Sequence, residues 1–595
     1  MKKIVLYFLL LLPLLTFSQN EQLAQNYFDK GDFEKALISY QDLLVQQPAN
    51  GYYFQRLIEV YQQLQKYDLA EKAIQKRYDT YRQANLLVEL GYNYHLQKDD
   101  AKAKKNYDLA IEAIRKNSNE VFSVAAVFER RVLIDYALQA YKLGASLNPK
   151  FNFNYQMALL YGQLGNSDMM ISTFLDEAYA NPQSMTMIQN QLSRFMTEDA
   201  DVTFNDAMRK ALLLRAQKNQ DIFWNQFLSW FFVQQKEYGK AFIQEKAIFK
   251  RNPENFGNIV NLAQLAIDED EPETAKEILS FVLENTQDLE TLLQAHYFLV
   301  DMKIEKAQEK DYKAIESEIE KLLTEFGISP YSLHMQILLA HFETFHLNNP
   351  EKGKAILKAA LELQLSKYET ANVKMELADI FLYEEKFNQA SLYYSQIEED
   401  DMKGDVIGHE ASLKSAKTSY FKGDFEWAQK QFKELKSASS ELIANDAMQY
   451  FLLIGDNTAA DSTQTALKKF ARADYLVYQN KTKEALAGFL AILKDHKGDV
   501  IEDATMLKIG RIYEKAGDYN SALAQYNDII EKHAEGIYID EALYFSGQIY
   551  EKKLNDPEKA KTRYEKIIFE HADSIYFTDA RNSFRQLRGD NAVKT

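Results

Sequence analysis

An all-α solenoid of stacked antiparallel helix pairs is the fold the sequence predicts, and three observations carry that expectation. The chain repeats itself: GRIYEKAGDYNSALAQYNDII at 510–530 is echoed by GQIYEKKLNDPEKAKTRYEKII at 547–568. Gly510 and Gly547, like Tyr513 and Tyr550, are 37 apart. Past one residue inserted in the loop, Ala522/Ala560, Tyr526/Tyr564 and Ile529/Ile567 are 38 apart. A period of this size, built from helical spacing, marks repeats that bury their apolar faces only against one another. The composition agrees: 21 Gly and 9 Pro in 595 residues are too few for a sandwich, a barrel or a loop-rich enzyme. Long amphipathic helices of Ala, Leu, Glu, Lys and Gln fit instead. The length, finally, exceeds what one core serves, so the chain is several domains or one extended array.

Within a repeat the pattern is a packing code. Small Gly510 and aromatic Tyr513 share one face of a first helix, and Ala522 and Tyr526 lie i, i+4 on a second. Small residues at the crossing let the helices approach, and the tyrosine fills the groove beside them. Gly517 and Asp518 supply the stop and the restart between the two. Small at 8, aromatic at 11, Ala at 20, aromatic at 24 and often Pro at 32 resembles the tetratricopeptide repeat (TPR) family. The resemblance implies a TPR-type superhelix whose first helices hold a protein or peptide.

From the N-terminus, Lys2 and Lys3, the apolar run 4–15 and then Thr16 to Gln19 read as a secretory signal, cut after Ser18. The run is too short to span a bilayer. Its TFSQ ending resembles signals of Bacteroidota envelope proteins. Repeats follow, anchored on Ala36, Ala70, Ala103, Ala137 and Met170 at spacings of 33 or 34, with Pro48, Pro149 and Pro182 twelve beyond their anchors. Six of the 14 methionines (Met169, Met170, Met185, Met187, Met196, Met208) crowd the blurred stretch around 183–220, where they are expected to fill core. Register returns at Ala241 and Ala275, with Trp224 and Trp230 expected between helices.

The acidic run 268–273 lacks the glycine and the terminal glutamate of a calcium loop, so Pro272 reads as the first residue of a helix. Longer helices are expected near 292–308, 312–325 and 332–345. The last gathers His334, His341 and His346, of which only His334 and His341 share a face. Ala390 and Ala428 anchor clear copies, then Ser/Thr/Asp-rich stretches flank a helix containing Ala447, Tyr450 and Leu453. The expected organisation is therefore a signal at 1–18, an N-terminal superhelix at 19–436, an irregular joint at 437–470 and a C-terminal array at 471–595. That array, anchored on Ala485, Ala522 and Ala560, is similar over 471–589 to periplasmic envelope TPR proteins. Two such relatives in kind are the Tol-Pal-associated division coordinator and the TPR lipoprotein of outer-membrane barrel assembly. Ala534 and Ala572 stand where those carry proline.

No cysteine occurs, which removes disulfides, thiolate metal sites, thiol nucleophiles and a lipid-bearing cysteine. A net charge of −17 disfavours nucleic acid and anionic lipid. G-x-S-x-G, P-loop, dinucleotide and H-E-x-x-H signatures are missing, so no catalytic residue, cofactor or metal is expected. The expected function is a non-catalytic scaffold binding a protein or peptide of the cell envelope. It would be periplasmic or secreted, with outer-membrane association as an option, without a lipid anchor or a span once the signal is cut. The alternatives are a secreted SusD-like glycan-binding TPR protein and, further off, an α/α-toroid hydrolase. The TPR resemblance places the groove on positions 2, 5, 9 and 12 of first helices: Phe28; Tyr52, Gln55, Glu59 and Gln62; Asn85, Val88, Tyr92 and His95; Phe122; and Tyr155. Glu59 and Val88 stand where a clamp for a free C-terminus would want cations, so an internal segment is the expected ligand.

Overall fold

The computed structural model describes residues 20–196, 202–253, 256–398, 402, 404–436, 441–460 and 463–589, which form helices joined by short turns with no strand among them. The segment assigned to a signal lies outside these residues. Each helix packs chiefly on its successor, as a stack of hairpins requires. By its contacts the chain separates into two compact units, one ending at Phe223 and the other beginning at Trp224.

In the first unit the expected anchors Ala36, Ala70, Ala103, Ala137 and Met170 are all buried, none above 2% exposed. Four residues on, Tyr40, Ile74, Tyr107, Tyr141 and Phe174 fill the crossing. The need for a small residue opposite is steric: a Cβ on Gly91 would stand 2.4 Å from Tyr107 Cε1. The turns between paired helices share one form. Lys66 N donates to Tyr61 O (2.8 Å), Asp99 N to Tyr94 O (3.0 Å) and Leu133 N to Phe128 O (2.8 Å), each around a residue with positive φ. This is the Schellman closure that satisfies the last carbonyls of a helix. Glycine was the expected stop, yet Gln65, Lys98 and Val132 hold that position as well as Gly31 and Gly165. The methionine expectation holds only in part. Met170 and Met208 are buried, but Met169 and Met187 are each more than 40% exposed, because only every third or fourth position of a helix turns inward.

In the second unit Ala241, Ala275, Ala390, Ala428, Ala485, Ala522 and Ala560 are fully buried. Trp224 is buried and Trp230 half-buried. The acidic run at 268–273 is one more Schellman turn, with Glu271 N on Ala266 O at 2.8 Å, and Pro272 opens the next helix. The longer helices are Leu289–Lys306, Tyr312–Phe326 and Leu333–Phe345. Beyond them lies a copy the sequence pattern hid. Leu333–Phe345 pairs with Pro350–Ala360 at Gly353, where a Cβ would meet Ala340 O at 2.8 Å. The residue expected in a loop between 547 and 560 is absorbed by the helix instead. Ile549–Lys553 is a π-helical turn, and Asp556 N reaches back six residues to Tyr550 O (2.8 Å), where Asp518 N reaches back five to Tyr513 O (2.9 Å). Widening one turn keeps Gly547 under Tyr564, the same seat that Gly510 gives Tyr526.

The interval 437–470 contains the whole helix Glu441–Ala460 and the start of Thr465–Tyr478. Ala447, Leu453, Leu467 and Phe470 join the same apolar core as Phe432 before them and Phe489 after them. Thr465–Tyr478 also docks on a helix about ninety residues earlier. Tyr475 Oη donates toward Leu382 O (2.6 Å) and Tyr383 O (3.0 Å), and Gln479 Nε2 to Tyr383 O (2.7 Å). A nearest-neighbour stack has no such contact.

Candidate functional site

The expected groove residues sit on first helices of the first unit, and four neighbours the sequence did not single out tie the middle of the set together. Gln55 and Glu59 lie on Gly51–Gln63, Tyr92 on Asn85–Leu96, and Arg130 ends Glu120–Arg130. Glu89 is buried, and both arginines converge on it: Arg131 binds its Oε2 through Nε (3.1 Å) and Nη2 (2.6 Å), and Arg130 bonds its Oε1. Arg130 also donates to Gln55 Oε1 at 2.8 Å. Glu59 accepts from Gln55 Nε2 and Arg56 Nη1, both at 2.9 Å, and Arg131 spreads its guanidinium 4.6 Å above the Tyr92 ring. A buried carboxylate is tolerated only when paired and hydrogen-bonded, and here two guanidinium forks do both. The missed signal was local: a lone Glu89 inside the apolar run LLVELGY demands cations, and Arg130–Arg131 closes the next first helix.

The other expected residues spread outward from this rank. Phe28 meets Phe33 edge-on at 5.6 Å under the Arg56 guanidinium. Tyr52 is 41% exposed and donates to Gln25 Oε1 at 2.7 Å. Phe122 is 55% exposed, its edge on Phe151 and Phe153. His95 faces Asp100 at 3.4 Å. Tyr155 packs edge-on to Phe174 and accepts from Gln191 at 3.2 Å. Asn85 keeps a buried Oδ1 without a hydrogen-bond partner. Two expectations fail. Val88 is wholly buried and Gln62 is 7% exposed, so neither lines a surface. The apolar residues of Asn85–Leu96 run almost all round the helix, which is therefore packed on both sides at Val88.

In the second unit a cleft of about 560 Å³ opens where Thr465–Tyr478 folds back. His341 and His346 border it, whereas His334, two turns from His341, opens on a different cleft. Most of its charges are paired: Lys414 Nζ on Asp379 (2.7 Å), Lys417 on Asp446 (3.0 Å), Lys508 on Asp474 (2.6 Å) and His341 Nδ1 on Glu376 (3.0 Å). Burial works against a charged His341, yet the Glu376 carboxylate holds its pKa above the ordinary value. His346 has no such partner, and burial, with His341 and Lys515 nearby, pushes it down to about 4. These pairs are mortar between helices distant in sequence. A carboxylate triad, Glu316, Glu320 and Glu343, has the spacing of a cation site, but the ammonium of Lys352 fills it at 2.5–2.8 Å from each.

A tetratricopeptide repeat family model matches residues 504–535, the hairpin of Gly510, Ala522 and Tyr526, and supports the repeat family read from the sequence. No curated protein matches the chain. Among solved structures it is similar to the crystal structure of the APC/C hetero-tetramer Cut9-Hcn1, at 14% identity over 91% of this chain and 98% of that one, with a TM-score of 0.23. It is also similar to the structure of Naa15/Naa10 bound to HypK-THB, at 11% identity over 97% and 94%, with a TM-score of 0.26.

Proposed function

We propose that this chain is a non-catalytic TPR scaffold that holds an extended segment of a cell-envelope protein on the first-helix face of its first unit. One observation carries the reading. A continuous polar rank, from Gln55 and Glu59 through Glu89 and Tyr92 to Arg130, crosses three successive first helices, with exposed Tyr52 and Phe122 on either side. Apolar anchors beside fixed hydrogen-bonding groups are what an extended peptide needs. The paired charges fix the orientation of those groups more than they stabilise the fold. The signal-like residues 1–18 support the envelope location.

The test is capture of partners from an envelope extract by the chain and by a Tyr52→Ala, Phe122→Ala variant. The expected outcome is a specific partner retained at least about tenfold more weakly by the variant, with a melting temperature within a few degrees of the parent. Unchanged capture alongside a large drop in melting temperature would assign these side chains to packing. Turnover of a glycan or peptide by the purified chain would favour a hydrolase. N-terminal sequencing of the exported form should begin at Gln19, and a full-length cytoplasmic form retaining Met1 would remove the envelope reading.

A further inference from the structure

We propose that the second unit also binds a neutral saccharide, in a cleft of about 560 Å³ at the N-terminal ends of Leu289–Lys306, Leu333–Phe345 and Lys367–Tyr383. The volume falls within the range of roughly 300–1,000 Å³ usual for small-molecule sites. In its equal in size beside His341 most of the charged groups are committed to ion pairs of their own. This cleft is the reverse. Gln294, His334 and Gln364 line it, and none of their side chains makes a hydrogen bond among the described residues. Each amide offers donors and acceptors together, which is the demand that sugar hydroxyls make.

One aromatic ring of the lining is equally uncommitted. Tyr331, on the short turn Pro330–Ser332, is 61% exposed, and no ring packs against it among the described residues. Tyr297 and Phe298 meet edge to face at 5.5 Å in the lining, with the His334 ring 6.0 Å from Tyr297. The negative face of such a ring attracts the weakly positive C–H bonds on one side of a pyranose.

Charge narrows the ligand. No lysine or arginine lines the cleft, and the carboxylates of Glu290 and Glu369 repel an anion there. Its two carboxylates, Glu290 and Glu369, lie in first helical turns where the helix dipole favours them, and Glu369 accepts from Ser366 N at 2.7 Å. A peptide crossing successive first helices would run along their faces; this cleft lies at their ends, beneath the Pro330 turn. A compact, uncharged, hydroxyl-rich ligand suits that position.

The test is isothermal titration of the full chain with cellotriose, maltotriose and chitotriose, and with tetra-alanine as the peptide control. The expected result is saturable binding of at least one trisaccharide, weakened about tenfold or more by Tyr331→Ala and separately by a Gln294→Ala, Gln364→Ala double change. Tyr331, Gln294 and Gln364 are all exposed, so circular dichroism should show the variants folded. Saturation by none of the three sugars, affinity unmoved by both variants, or binding of tetra-alanine in place of a sugar would each overturn the proposal. Loss of partner capture in the first-unit variant leaves this measurement untouched, so the two readings fail independently.

Discussion

At the scale of single residues the stack is held in register by steric fit. A Cβ on Gly510 would stand 2.5 Å from Tyr526 Cε1, and that ring is fully buried with its hydroxyl on Glu514 at 2.8 Å, so it cannot yield. Gly510→Ala is therefore expected to destabilise the protein by about 1–2 kcal/mol, overpacking outweighing the gain in helix propensity. Gly239→Ala, where nothing lies within 4 Å in the helix Tyr238–Arg251, should instead be neutral or stabilise by up to about 1 kcal/mol. Parallel melts would check both signs. Val132 marks the opposite economy: a β-branched residue at φ 57°, 73% exposed, closing a turn that glycine closes elsewhere. Left-handed backbone costs such a residue about 1–2 kcal/mol. Val132→Gly should raise the denaturation midpoint, and a lower midpoint would mean that its side chain contributes contacts worth more than the strain.

At the scale of elements, the joints of the C-terminal array repeat an acidic pair at the start of each first helix, Glu502–Asp503 and Asp540–Glu541. The first member of each faces a histidine at the end of a second helix, Glu502 with His533 at 3.7 Å and Asp540 with His571 at 3.0 Å. The second member is the costly one. Burial, aided by Asp540 and Asp503, pushes Glu541 up to about 7. A folded-state value above the unfolded one means that the fold keeps a proton the unfolded chain gives up. Stability is then lost as pH rises from about 4.5 to 7, by an amount on the order of 1–3 kcal/mol, and the deficit persists above that window. Glu541→Gln is expected to melt higher than the parent at pH 8 and alike at pH 4.5. A gain that is the same at both values would rule out the titration.

At the scale of the molecule, the unit that begins at Trp224 is more than a nearest-neighbour stack, because Thr465–Tyr478 returns to the end of Lys367–Tyr383. A chain ending at Phe470 loses Tyr475 and Gln479 and leaves the Leu382 and Tyr383 carbonyls without these donors; one ending at Gly498 keeps them. Leu382 O keeps its bond from Glu385 N (3.0 Å), so Tyr383 O is the acceptor left orphaned, at a cost of about 1–3 kcal/mol. The shorter form should melt lower and show faster amide exchange at the end of Lys367–Tyr383, measured by mass spectrometry. A fragment ending at Phe223 should keep its helical circular dichroism and melt cooperatively, since it carries its own anchors from Ala36 to Met170. Identical exchange in the 470 and 498 forms would show that the return contact carries no stability.

What the sequence determined by itself was everything that depends on local spacing. Alanine or glycine at a crossing, an aromatic four residues later and proline after the helix act within one hairpin, so Gly510, Ala522 and Tyr526 announced their places unaided. Copies without that code stayed hidden: Gly353 serves as an anchor with no aromatic partner at the usual step, and Ile549–Lys553 hides an insertion inside a helix. The candidate face was legible at Gln55 and Tyr92 because the repeat carries its own register. Val88 was misplaced because an apolar run around a whole helix gives no phase. Only the tertiary structure decided what meets across repeats: Glu89 under Arg130 and Arg131, Tyr475 on carbonyls about ninety residues back, and the clefts beside His341 and Tyr331. Those contacts depend on how much each hairpin rotates on the last, a quantity set by the summed packing of many side chains and written in no single period of the sequence.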